Sequence, residues 1–203
     1  MCAAFPEFRL GTVLATSFTG TLSERHGDAV ERIPTPGRLV DWLVVSGLAV
    51  DSCTEAQLGL ARELRESIHA VATAAAAREA LPASAVQVVN DRSTQGRAAA
   101  VLTPEGQRLW RLGSAARRKD TLGMEDTLGV EDALAVIAAD AIDIVAGERD
   151  GRLALCASPT CRAAFFDTSR SRTRKWCDMN TCGNRQKKAR FHANEGRAAG
   201  PVE

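Results

Sequence analysis

Four cysteines within 27 residues leave this chain little choice of structure near its C-terminal end. Cys156-Ala-Ser-Pro-Thr-Cys161 and Cys177-Asp-Met-Asn-Thr-Cys182 are two Cys-x4-Cys pairs separated by fifteen residues. Zinc takes four soft ligands at about 2.3 Å in a tetrahedron, and a four-residue loop lets two thiolates turn toward one ion. Two disulfides, or four unrelated thiols, are the competing explanations. The compartment decides between them. The opening Met1-Cys-Ala-Ala-Phe-Pro-Glu-Phe-Arg has no charged segment followed by an apolar one, which argues against export and for a cytoplasmic, reduced setting. No apolar run reaches the roughly 20 residues that a bilayer span needs, so no membrane partner is expected. Clustered thiols in a reducing compartment usually hold metal, and the expected cofactor is one Zn2+ bound by Cys156, Cys161, Cys177 and Cys182. Four thiolates fill the tetrahedron and leave no position for water, so the site is read as structural and not catalytic.

The fifteen intervening residues can close a hairpin. Ala163–Phe166 and Arg174–Cys177 are the expected strands, with the polar run 167–173 as their turn, and a helix is expected to begin near Cys182. Charge singles out the same region. Residues 1–148 carry a net −6, whereas residues 149–203 carry +7, and the segment from Arg162 to Arg190 alone holds nine Lys+Arg against two Asp. Four thiolates and one zinc ion would reduce that local +7 to about +5. An acidic body joined to a basic end fits a polyanionic partner. The candidate nucleic-acid contacts are Arg170, Arg172, Arg174 and Lys175 on the hairpin, and Asn184, Arg185, Lys187, Lys188 and Arg190 after the last cysteine. Asn184 and Arg185 are the candidates for base contact, because Asn pairs adenine and Arg guanine in bidentate fashion. The blander reading is that some of these cations offset the thiolates, that Asn184 braces the knuckle, and that Phe165, Phe166 and Trp176 form a small core.

The first 150 residues read as helical. Thr35-Pro36-Gly37 is a start signal for a short helix presenting Leu39, Trp42 and Leu43 and ending at Gly47. Thr54 with Gln57 makes a capping box. The apolar spacing from Leu58 through Leu64, Ile68 and Val71 predicts a long helix to about Ala80, with Arg62, Glu63, Arg65 and Glu66 on its other face. A short helix over 83–90 follows Pro82. The segments 98–102 and 107–112 flank Thr-Pro-Glu-Gly and read as a β-hairpin. A hexad, Thr-Leu-Gly-Met-Glu-Asp, is repeated as Thr-Leu-Gly-Val-Glu-Asp over 121–132 and is taken as an insertion in a surface loop. The last long helix is expected from Val130 to Ala146, ended by Gly147. Residues 10–32 admit either strand or helix. Cys53 reads as a small buried hydrophobe, and His69 as partly exposed.

The run Phe165-Phe166-Asp167, then Arg174-Lys175-Trp176-Cys177, then Cys182-Gly183-Asn184-Arg185 resembles the CGNR zinc finger family over about residues 153–192. That resemblance implies a bacterial, cytoplasmic transcription regulator whose finger binds DNA. It also implies a helical N-terminal region of the ABATE, or stress-induced transcription-regulator, type. One segment departs from the family pattern: where an opening such as Leu-Asp-Phe-Val-Asn-Thr is typical, this chain has Thr16-Ser-Phe-Thr-Gly-Thr21, with Ser17 and Gly20 in place of Asp and Asn.

The expected fold class is therefore mainly α. A helical ABATE-like domain with one β-hairpin (1–150) precedes a treble-clef-like four-cysteine finger of hairpin plus helix (151–194) and a disordered tail (195–203). The expected function is a DNA-binding transcriptional regulator acting on double-stranded DNA. Its N-terminal domain would take a small-molecule effector or form a homodimer. The alternative is a zinc-finger interaction or RNA-binding module with no DNA contact. No Ser/His/Asp arrangement, phosphate loop or dinucleotide fingerprint is present, so an enzyme is not expected.

Overall fold

A computed structural model describes residues 5–104, 106–112 and 128–198. The body is a helical assembly around α3 (Glu55–Ala77) and α5 (Val130–Ala146). The capping box of α3 is present in both directions: Thr54 Oγ1 accepts from the Gln57 amide at 3.2 Å, and the Gln57 side chain accepts from the Thr54 amide at 2.8 Å. The helix ends at Ala77, earlier than its spacing suggested, because Arg78 adopts a left-handed conformation at φ 60°. Its Leu58, Leu64, Ile68 and Val71 are buried against α5, itself sunk in the core through Leu134, Ile137, Ala141 and Ile144. Gly147, at φ 80°, terminates α5 as a left-handed cap.

The segment 10–32 resolves as α1 (Leu14–Thr19) followed by a two-residue ladder, β1 (Leu22–Ser23) with β2 (Val30–Glu31). Helix α2 (Pro36–Val45) starts where Thr35 caps the Arg38 amide, and Trp42 lies fully buried with its ring 5.1 Å from that of Phe18. Helix α4 spans Ala83–Thr94, longer than expected, and the hairpin of β3 (Ala98–Leu102) and β4 (Arg108–Leu112) pairs Ala98 with Leu112 and Leu102 with Arg108.

Buried charge, which no periodicity could reveal, holds these elements in place. Arg65 was placed on the polar face of α3, yet it is buried. Its guanidinium pairs with Glu31 at 2.8 Å and with Glu66 at 2.9 Å, which ties β2 to the helix. Asp140 on α5 accepts the Ala15 amide at 2.8 Å and the Arg149 guanidinium at 2.7 Å, so α1 starts against a carboxylate. Asp132 is also buried, accepting the amides of Arg97 and Gly129.

That last residue corrects the reading of the repeated hexad as a loop insertion. Its second copy carries the buried Leu128 and Val130 and the capping Asp132, so it forms the start of α5; the first copy lies outside the described residues.

The C-terminal module also differs in its pairing. Strand β5 (Arg152–Leu155) pairs with β6 (Ala164–Asp167), Leu155 opposite Ala164, and the first cysteine pair sits in the turn between them. The expected second strand, 174–177, is irregular chain that reaches the knuckle through the Ala157 amide, which donates to the Lys175 carbonyl at 2.8 Å. Nothing in the sequence announces β5, because Arg-Leu-Ala-Leu is too short to show a period. Beyond Cys177 a single π-helical turn (Met179–Gly183) leads into α6 (Asn184–Ala198). Residues 195–198, expected in a disordered tail, are helical, and 199–203 lie outside the described residues.

Candidate zinc centre and basic helix

The hairpin turn delivers Cys156 and Cys161, and the π-helical turn delivers Cys182, with Cys177 just before it. The Cys156 amide donates to the Ala163 carbonyl at 2.9 Å, and the Ser158 carbonyl accepts the amides of Cys161 and Arg162. Arg162 takes a left-handed φ of 49° to complete the turn. Asp178 caps the second knuckle by accepting the Thr181 amide at 2.6 Å.

All four sulfurs lie within 4.8 Å of one another. Cys161 Sγ is 3.6 Å from Cys177 Sγ, and Cys177 Sγ is 3.7 Å from Cys182 Sγ. A tetrahedron with bonds of about 2.3 Å has edges of roughly 3.8 Å, so the cage fits zinc. Its protonation agrees. Hydrogen bonds from Cys161 and Cys177 push the Cys156 thiol down to about 2, whereas burial pushes Cys182 up to about 12. Cys161 and Cys177 are raised as well, chiefly by their hydrogen bonds to Cys156. Four thiols packed this closely cannot all ionise without a cation among them, and a divalent ion supplies that charge.

Gly183 stands close under the Met179 and Trp176 side chains. A Cβ there would stand 2.4 Å from Met179 Sδ and 3.3 Å from the Trp176 ring. Trp176 and Phe165 pack around the sulfurs, as the small core expected for them. Phe166 does not belong to that cluster. It joins the core of the body, and Leu153 packs there too, so the finger's hairpin is mounted on α3 and α1. Gly151 permits this, since a Cβ would lie 2.2 Å from the Phe166 ring.

The nine candidate cationic and amide side chains fall into two groups. Three are engaged within the protein. Arg172 pairs with Asp150. Arg174 donates to the Cys177 carbonyl at 2.8 Å and lies over the Phe165 ring, while its amide and that of Ser169 are held by the buried Asp167. Burial pushes the Asp167 carboxyl up, but these hydrogen bonds outweigh it and leave it below the ordinary carboxylate range. Arg185 pairs with Glu24 of the body and donates to Thr160 Oγ1 at 3.0 Å. The others, Arg170, Lys175, Asn184, Lys187, Lys188 and Arg190, are exposed. Helix α6 packs against its own leading turn and reaches the body through Arg185, while Lys187, Lys188 and Arg190 are exposed.

Glu24 was not anticipated. It sits buried at φ 54° in the loop after β1, and its carboxylate accepts Thr160 Oγ1 at 2.8 Å as well as Arg185. The His26 amide donates to the Thr160 carbonyl at 3.1 Å, so the whole loop rests on the first knuckle. Only a left-handed, non-glycine residue gives this loop away, and no sequence pattern announces one.

Beside that contact a cleft of about 430 Å³ separates α1 from the finger, lined by Arg9, Thr16, Ser17, Gly20, Cys161 and Cys177 among others. The segment that departs from the resemblance, Thr16–Thr21, therefore borders the metal centre. Ser17 itself is spent locally, accepting the Gly11 amide and donating to the Val13 carbonyl.

Family models match both halves of the chain. Residues 12–148 match ABATE, described as "Putative stress-induced transcription regulator". The chain belongs to the ABATE family. Residues 152–195 match the CGNR zinc finger, and the four cysteines of this ABATE protein stand close enough together to coordinate one zinc ion. No curated protein matches the chain. Among the described residues no helix of this ABATE protein is long and apolar enough to cross a membrane.

Proposed function

We propose that this chain is a cytoplasmic, bacterial DNA-binding transcriptional regulator and not an enzyme. Its finger would contact double-stranded DNA, and its body would take a small effector or pair two copies. The observation that carries this reading is α6. It follows directly on a closed four-sulfur site, is braced on the body through Arg185, and exposes Lys187, Lys188 and Arg190 together with Asn184. A rigid basic helix of this kind can enter a major groove, while Arg170 and Lys175 are placed to hold phosphate. Zinc here supplies rigidity; the contacts belong to the side chains.

We infer that Arg185, with its guanidinium on Glu24 and Thr160, positions α6, and that the exposed residues that follow it are the foremost candidate contacts.

The test is retardation of genomic DNA fragments by the zinc-loaded protein over a series of salt concentrations. Affinity should fall with a log–log slope of about −0.9 per phosphate neutralised, and Lys187→Ala with Lys188→Ala should flatten it by about two contacts. The engagement of Arg185 within the protein gives some support to a module that binds protein or RNA. Binding to duplex RNA in preference to DNA, or DNA affinity that ignores both lysines, would move the conclusion there.

A further inference from the structure

The zinc cage is unequally shielded. Cys156 and Cys182 are 0% and 1% exposed and do not border the cleft, whereas Cys177, half-buried, lines it together with Cys161, which is 3% exposed. The cleft is wide enough for several water-sized molecules, and Arg9 and Arg174 stand at its walls. Thiolate character and access together decide which cysteine an oxidant reaches. In a site with all four sulfurs ionised by zinc, access alone separates them.

We propose that Cys177 and Cys161 are a redox modification site, open through this cleft to a small two-electron oxidant of the peroxide class. The Cys177 thiolate attacks one peroxide oxygen; a sulfur–oxygen bond forms, the O–O bond breaks, and hydroxide leaves. The Cys161 thiolate, 3.6 Å away, then attacks the Cys177 sulfur, forming the disulfide and expelling the second hydroxide. Two protons from solvent convert the hydroxides to water, so the peroxide gains the two electrons that the sulfurs lose. The sulfurs must approach from 3.6 Å to about 2.05 Å, which the cage permits once it no longer spans four ligands. Cys156 and Cys182 cannot complete a four-ligand site, and the ion is released. The bond formed joins the two knuckles but leaves Cys182 without its ion, so α6 keeps only its contact through Arg185. This inference rests on the zinc site and not on the DNA reading.

The test uses the full-length, zinc-loaded, reduced chain treated with hydrogen peroxide. Zinc release is followed with a chromogenic chelator, and alkylation with fragment mass spectrometry assigns the cysteines. One zinc per chain should leave in step with a Cys161–Cys177 disulfide, with Cys156 and Cys182 recovered as alkylated thiols. Retention of zinc in tenfold excess peroxide, or a first-formed disulfide between any other pair, overturns the proposal. Thr16→Phe, which narrows the cleft from α1, should slow release about tenfold. An unchanged rate in a zinc-loaded Thr16→Phe chain would show that access does not run through the cleft. DNA retardation enters neither readout, so failure here leaves the regulator reading standing, and the reverse holds.

Discussion

Arg185→Ala tests whether body and finger are held by the Glu24 contact. The substitution removes the group that bridges Glu24 and Thr160 and strands a carboxylate whose side chain is 10% exposed. Among the described residues, the other Glu24 oxygen, Oε1, is buried without a hydrogen-bond partner, so the arginine carries much of the compensation. A hydrogen bond to a charged group contributes roughly 1.5–3 kcal/mol. Because the Arg185 side chain is 44% exposed, solvent screening trims that to about 1.5–2 kcal/mol. For a chain of this size that is a fall in Tm of about 3–8 °C. Glu24→Gln made alone and with Arg185→Ala completes a double-mutant cycle, with an expected coupling of about 1 kcal/mol in urea unfolding of the zinc-loaded protein. Acid should erase it. Burial pushes Glu24 up, but Arg185 and Thr160 outweigh burial and hold it below the ordinary carboxylate range. Its contribution is therefore complete above the unfolded pKa and is lost as pH falls through the lower, folded one. Coupling below about 0.3 kcal/mol at neutral pH would refute the argument and make Arg185 a surface cation after all.

Phe166→Ala should cost about 3–5 kcal/mol, measured by chemical denaturation, because it removes a ring from the body's core and not only from the finger. Gly151→Ala should cost about 1–3 kcal/mol in the same assay, since its Cβ would meet that ring at 2.2 Å. Burial lowers His69 to about 4, so its stabilisation is full above the unfolded value near 6.5 and is lost as pH falls toward 4; His69→Gln should flatten the acid limb of a stability profile by up to about 3 kcal/mol. Cys177→Ser should abolish stoichiometric zinc binding and expose the amides of α6 to hydrogen exchange while those of β5 and β6 stay protected.

How much of this could be read from the residues depended on how local the cause was. The cap at Thr54, the start at Pro36 and the stop at Gly147 each involve groups within four positions, and all stand where the pattern placed them. The four ligands were legible because metal geometry needs no knowledge of the rest of the fold. Pairing was not. Arg152–Leu155 becomes a strand because Leu153 and Phe166 both find the body's core, which lies outside the segment. The buried charges were hidden for the same reason: Arg65 shares the helical face expected of a solvated residue, and its distant partners Glu31 and Thr21, 34 and 44 positions earlier, lie outside the helix. The roles of Glu24 and Arg185 depend on a left-handed turn meeting a knuckle 136 residues away at Thr160.

Because Phe166 roots β6 in the same hydrophobic interior as α3, the finger has two attachments of different kinds. One is apolar, through Phe166 and Leu153; the other is polar, through Glu24, Thr160 and Arg185, and the metal site lies between them inside the finger. Taking away the metal would not cast the module loose. The stalk would stay planted while the cationic arm beyond it lost its shoulder joint. The arm would lose its anchor with the rest of the molecule still folded, ready to be restored by a single ion.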